Sequence, residues 1–110
     1  MAKYERRFQG DFDTVLQELT TGILQGSVSA SYEDGSDFVA GEGRFAVRVY
    51  ERYSFAGGNR LTLTLSLVGM GRELALSLIT SGGSQAMFFK VNTWGEESFL
   101  DSVREIADRL

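Results

Sequence analysis

Between Arg44 and Asn92, apolar and polar residues alternate with period two in four runs separated by glycine-bearing turns, and the period then lengthens to that of a helix. Such alternation predicts strands with one apolar and one polar face. The first run, Arg44–Phe55, places Phe45, Val47, Val49, Tyr53 and Phe55 at odd positions, and Leu61, Leu63, Leu65 and Leu67 of the second are odd as well. Joining odd to odd on one face requires an odd loop, so a three- or five-residue turn is expected within Ala56–Asn59. The third run, Leu74, Leu76 and Leu78, is even. A four-residue connection, Gly69-Met70-Gly71-Arg72, then pairs Leu67 with Leu74, Leu65 with Leu76 and Leu63 with Leu78. A Gly82-Gly83 turn sets Leu78 against Met87, Leu76 against Phe89 and Leu74 against Val91. All registers close on one apolar face.

Ahead of these runs, Lys3–Gln9 reads as a short strand. Asp11–Leu24 reads as a helix, with Phe12, Val15, Leu16, Leu19 and Ile23 on one stripe and Asp11 and Asp13 at its positive end. Ser27–Tyr32 alternates as a strand with Val28, Ala30 and Tyr32 inward. Glu33–Asp37 reads as a turn, and Gly41 and Gly43 as a bend. At the other end Thr93-Trp94-Gly95-Glu96 has the form of a capping box. Phe99, Val103, Ile106 and Leu110, with Leu100 and Ala107, form the apolar stripe of the helix that follows. The pattern therefore predicts one α+β domain over residues 1–110. It is an antiparallel meander sheet of five to six strands with an N-terminal and a C-terminal helix packed on one face, in the order β-α-β-β-β-β-β-α.

Composition narrows the chemistry. The chain has no His and no Cys, which removes Ser-His-Asp triads, Cys-His pairs, thiolate metal sites and disulfides. Carboxylates, Lys and Tyr remain as acids and bases, but no nucleophile is set beside a base, so no catalytic residue, metal site or cofactor is expected and the chain reads as non-enzymatic. Fifteen acidic against eleven basic side chains give a net charge of -4, which disfavours nucleic acid as a partner. No run approaches the roughly 18 apolar residues of a membrane span. The charged start, Met1-Ala2-Lys3-Tyr4-Glu5-Arg6-Arg7, is unlike a signal peptide, and together with the lack of cysteine it points to the cytoplasm.

The polar face of the meander is the candidate site. In the derived register Arg52, Thr64, Ser77 and Phe88 form one cross-sheet row and Tyr50, Ser66, Ala75 and Lys90 the next, with Arg48 nearby. Three cations, two aromatics and three hydroxyls on one surface suit a carboxylate or phosphate ligand held by arginine forks beside a stacked ring. The competing reading is a solvated sheet face, where Thr, Ser, Arg and Lys are the expected residues. Thr80–Gln85 lacks the Lys-Ser/Thr ending of a phosphate loop and reads as a hairpin turn. Asp34, Asp37 and Glu42 miss the ligand spacing of a calcium loop. Trp94 reads as a junction aromatic that seals the core.

The segments Arg48-Val49-Tyr50-Glu51-Arg52-Tyr53, Gly57-Gly58-Asn59-Arg60, Ser81–Lys90 and Asn92–Phe99 resemble a family of small uncharacterised proteins of Gram-positive bacteria. That resemblance implies a bacterial cytoplasmic domain of unknown function and carries over no catalytic residue. The overall order also resembles a shortened helix-grip, START-like domain, which would imply a small apolar ligand lodged between sheet and helix. Three functions follow in order: a non-enzymatic module binding a small molecule or an anionic group; a protein-interaction or self-association module, with a homodimer as its simplest form; and, last, a carboxylate- or Lys90-dependent enzyme.

Overall fold

The computed structural model describes residues 1–26, 29–53, 60–82 and 89–110, the side chains of 89–98 excepted. The elements run β1 (Ala2–Gln9), α1 (Phe12–Gly26), β2 (Ser31–Ala40), β3 (Gly43–Tyr53), β4 (Arg60–Met70), β5 (Glu73–Gly82) and α2 (Phe89–Asp108). The strands form one antiparallel sheet in the order β1-β5-β4-β3-β2, so β2 to β5 make a meander and β1 adds to its far side. Both helices lie on one face, as the apolar pattern requires. α2 rests on β5, β1 and β4 and touches α1, which reaches β4.

Helix α1 begins where sequence places it. Asp11 accepts hydrogen bonds from the Thr14 backbone N–H at 3.0 Å and the Thr14 hydroxyl at 2.8 Å, capping the first turn. Phe12, Val15, Leu19 and Ile23 are buried along the expected stripe. They meet Leu61, Leu63, Leu65, Leu67, Leu74, Leu76 and Leu78 from the sheet and Phe99, Leu100, Val103 and Ala107 from α2. Full burial of each such leucine contributes about 1.5–3 kcal/mol, so this face is the main source of stability. Arg6 donates to the Ala107 carbonyl, and the Tyr4 hydroxyl donates to Asp108 at 2.6 Å, tying the end of α2 to β1.

Several sequence expectations are corrected. Met70 pairs with Glu73, so the β4–β5 turn is the two residues Gly71-Arg72, and every pairing slips by two: Leu67 faces Leu76, Leu65 faces Leu78 and Leu63 faces Thr80. Gly71, with φ +60°, supplies the positive dihedral that a tight hairpin turn needs at its first position. Parity survives a slip of two, so the leucines keep their face.

The expected strand through Phe89 and Val91 is instead the start of α2, and Met87 lies outside the described residues. So short an apolar run satisfies either period, and β1 holds the place beside β5: Arg6 faces Leu76 and Phe8 faces Leu74. Among the described residues the sheet therefore has five strands and the order is β-α-β-β-β-β-α. The expected helix start at Thr93 falls inside α2.

β2 runs straight through the expected turn Glu33–Asp37, with an irregularity between Tyr32 and Asp34 that absorbs one residue. The true turn is Gly41-Glu42, where Gly41 has φ +59°. Of the expected strand Ser27–Tyr32, Ser27 and Val28 lie outside the described residues, and Tyr32 is half exposed.

The largest correction concerns β3. Its inward residues are even: Ala46 faces Leu67, Arg48 faces Leu65, Tyr50 faces Leu63 and Arg52 faces Leu61. Phe45, Val47 and Val49 therefore point away from the helices, beside Val68, Ser66 and Thr64. The turn expected in Ala56–Asn59 lies outside the described residues. Counting large apolar side chains favours the odd positions, but Tyr50 and Ala46, at 1% and 0% exposure, fill the inner face while arginine stems complete it.

Candidate functional site

The inner face of β3 carries an arginine every fourth residue, Arg44, Arg48 and Arg52, which strand periodicity puts on one side. Arg44 lies 4.2 Å from the centre of the Phe12 ring and forks onto Asp13 at 2.8 and 3.0 Å. That hydrogen-bonded pair holds the Asp13 carboxyl below its ordinary value and raises the Arg44 guanidinium. Arg48 donates to the Val47 carbonyl at 2.9 Å, to the Ser36 carbonyl at 3.3 Å and to both oxygens of Asp37 at 3.0 and 3.2 Å. Arg52 stands 4.5 Å over the Phe99 ring, where burial lowers its guanidinium from the ordinary value. Between them, Tyr50 meets Tyr32 edge to face at 5.7 Å, and burial raises its phenol pKa.

These arginines close the margin of the core where the helix layer ends. Their stems cover apolar surface, and the forks of Arg44 and Arg48 are engaged by carboxylates and carbonyls. Gly35 belongs to the same construction, since a Cβ there would lie 2.6 Å from the Tyr32 hydroxyl and 3.0 Å from Arg48 Cδ.

The opposite face has a different character. Its central row runs Phe38, Phe45, Val68, Ala75 and Arg7 across all five strands. Beside it run Ser36, Val47, Ser66, Ser77 and Glu5, then Asp34, Val49, Thr64, Ile79 and Lys3. Among the described residues no helix covers these rows. Phe38 is 60% exposed, Met70 61% and Val68 44%, with Ile79 at 37% two rows away, so large apolar side chains of this face meet solvent. The Phe38 and Phe45 rings touch at 6.2 Å. The face is bulky over β2 and β3 and hollow over β5 and β1, where Glu5, Arg7, Ser66, Val68, Ala75 and Ser77 line a depression of about 200 Å³. β2 itself is an edge strand exposed along nearly its whole length.

The structure separates the residues grouped by sequence. Arg48, Tyr50 and Arg52 lie on the inner face, while Thr64, Ser66 and Ser77 lie on the outer one. Lys90 belongs to α2, not to a strand of the sheet, with its side chain outside the described part, and Phe88 lies outside the described residues. The expected single polar face of cations, rings and hydroxyls is thus not formed. Asp34 and Asp37 likewise fall on opposite faces. Among the described residues no group of three or more acidic side chains is placed to hold a metal ion, and no helix is long and apolar enough to cross a membrane. What sequence reasoning passed over is the apolar outer surface, Phe38, Phe45, Val47, Val49, Val68 and Met70. Phe38-Val39, directly after the acidic segment, was the available signal that a strand and not a turn occupies this stretch.

The sequence model of the Family of unknown function (DUF6054) matches residues 1–110. None of the curated proteins matches the chain.

Proposed function

Because the chain belongs to that family of unknown function, its own surfaces carry the reading, and we propose that it is a non-enzymatic interaction module whose working surface is the outer face of the sheet. The observation that supports this most is the uncovered row Phe38-Phe45-Val68, an apolar ridge on a sheet whose other face already has its helices. Five strands spaced about 4.8 Å apart, eight to eleven residues long at about 3.3 Å per residue, present roughly 800 Å². A stable protein interface buries about 800 Å² per partner, so the face is of the right size for a protein and larger than a small ligand needs. Thr64, Ser66 and Ser77, expected as ligand contacts, lie within it as polar contacts between apolar ones. An anion site on the arginines has less support, since Arg44 and Arg48 are already paired with Asp13 and Asp37. The cysteine-free composition suits a module working in a reducing cytoplasm.

Native mass spectrometry of protein purified from its own host tests the reading. The parent should be recovered as an assembly, and Phe45→Glu, with unchanged melting behaviour, should be released as a single chain. A parent that is a single chain at its cellular concentration, or an assembly that Phe45→Glu leaves intact, would contradict it.

A further inference from the structure

Resting on that reading of the outer face, we infer that its partner is a second copy of the chain, docked sheet on sheet about a two-fold axis that runs along β4. β4 is the middle strand, with β5 and β1 on one side and β3 and β2 on the other. A two-fold axis parallel to it exchanges the two sides while keeping each row at its own level. β3 of one copy then lies over β5 of the other, and β2 over β1.

The rows of the outer face are complementary under that operation. Phe45 meets the other copy's Ala75, in the hollow of about 200 Å³. Phe38 meets Arg7, a ring against a guanidinium. Val47 meets Ser77, Val49 meets Ile79, and Asp34 meets Lys3, opposite charges at the rim. Val68 and Ser66 meet their own counterparts at the axis. The bulky half of each face is set against the hollow half of the other, as an isologous interface requires. Face-to-face packing with the strand directions of the two sheets kept within about 30° of each other is the ordinary geometry of a sandwich.

Other self-pairings fit less well. Joining edge β2 to its own copy would bring Glu33, Asp34 and Asp37 against the same three carboxylates. An axis across the strands would put β3 on β3 and leave the hollow over β5 facing another hollow.

The absence of native cysteine makes the register directly testable with a short thiol-specific bifunctional reagent. Ser66→Cys is expected to crosslink to itself. Val47→Cys and Ser77→Cys are expected to crosslink when mixed, and neither to crosslink efficiently alone. Phe45→Cys with Ala75→Cys repeats the comparison one row away, so a variant that fails to fold does not decide the outcome. Efficient self-crosslinking of Val47→Cys would overturn the axis. An outer-face assembly that contains a different protein and yields none of these crosslinks would overturn self-docking while sparing the outer-face reading. A chain with no assembly sensitive to Phe45→Glu would overturn both.

Discussion

Asp13 on the first turn of α1 and Arg44 on β3 form a two-pronged ion pair across the helix–sheet boundary, with nitrogen–oxygen distances of 2.8 and 3.0 Å. Asp11, two residues earlier, is depressed in the same direction by its hydrogen bonds from Thr14. A carboxyl whose pKa is lower in the folded state contributes stability above its unfolded value and loses that contribution as pH falls through its folded value. Denaturation by urea should therefore show Asp13→Asn less stable than the parent at neutral pH, with the gap closing below about pH 4. A gap that stays constant into acid would show that the pair does not act through charge.

Gly69 makes the hollow into which Phe12 packs. A Cβ there would lie 2.7 Å from Phe12 Cδ2 and 3.0 Å from Leu74 Cδ2. Gly69→Ala should cost about 1–3 kcal/mol by overpacking, and Phe12→Leu in that background should recover part of the loss. Chemical denaturation measures both, and a Gly69→Ala protein as stable as the parent would contradict the contact.

The two faces of β5 predict opposite responses. Leu78→Ala should cost about 2–5 kcal/mol, since Leu78 is fully buried against Leu65. Its neighbour Ile79 is 37% exposed, and Ile79→Ala should cost under about 1 kcal/mol when measured on dilute protein. Similar losses at the two positions would contradict the assignment of faces.

Sequence reasoning read the leucine face, the presence of an N-terminal and a C-terminal helix and the α+β class correctly, because each rests on a long periodic pattern: four odd leucines in β4, three even ones in β5, and 3.6-residue stripes from Phe12 and Phe99. It failed where the pattern was short or chemically mixed. On β3 both parities carry large side chains, and only tertiary packing decides that Tyr50 goes in and Val49 goes out. At Phe89 and Val91 a short run could not distinguish strand from helix, and the competitor for that place, β1, is distant in sequence. Most of the candidate site followed from the parity of β3, so that one error divided it between two faces.

Arg52 illustrates the consequence. On a polar outer face Arg52→Ala would have left stability untouched. Packed over Phe99 at 4.5 Å, it should lower stability by about 0.5–2 kcal/mol, with Arg52→Lys intermediate. Unchanged thermal unfolding of Arg52→Ala would return the residue to solvent.

Sedimentation equilibrium of the parent and Phe45→Glu over the same range of concentrations tests the role of the outer face most directly. The parent is expected to reach twice the mass of one chain reversibly, whereas Phe45→Glu should remain a single chain and, on dilute protein, keep the parent's thermal unfolding. A parent that remains a single chain throughout, or a variant that associates as readily as the parent, would contradict it.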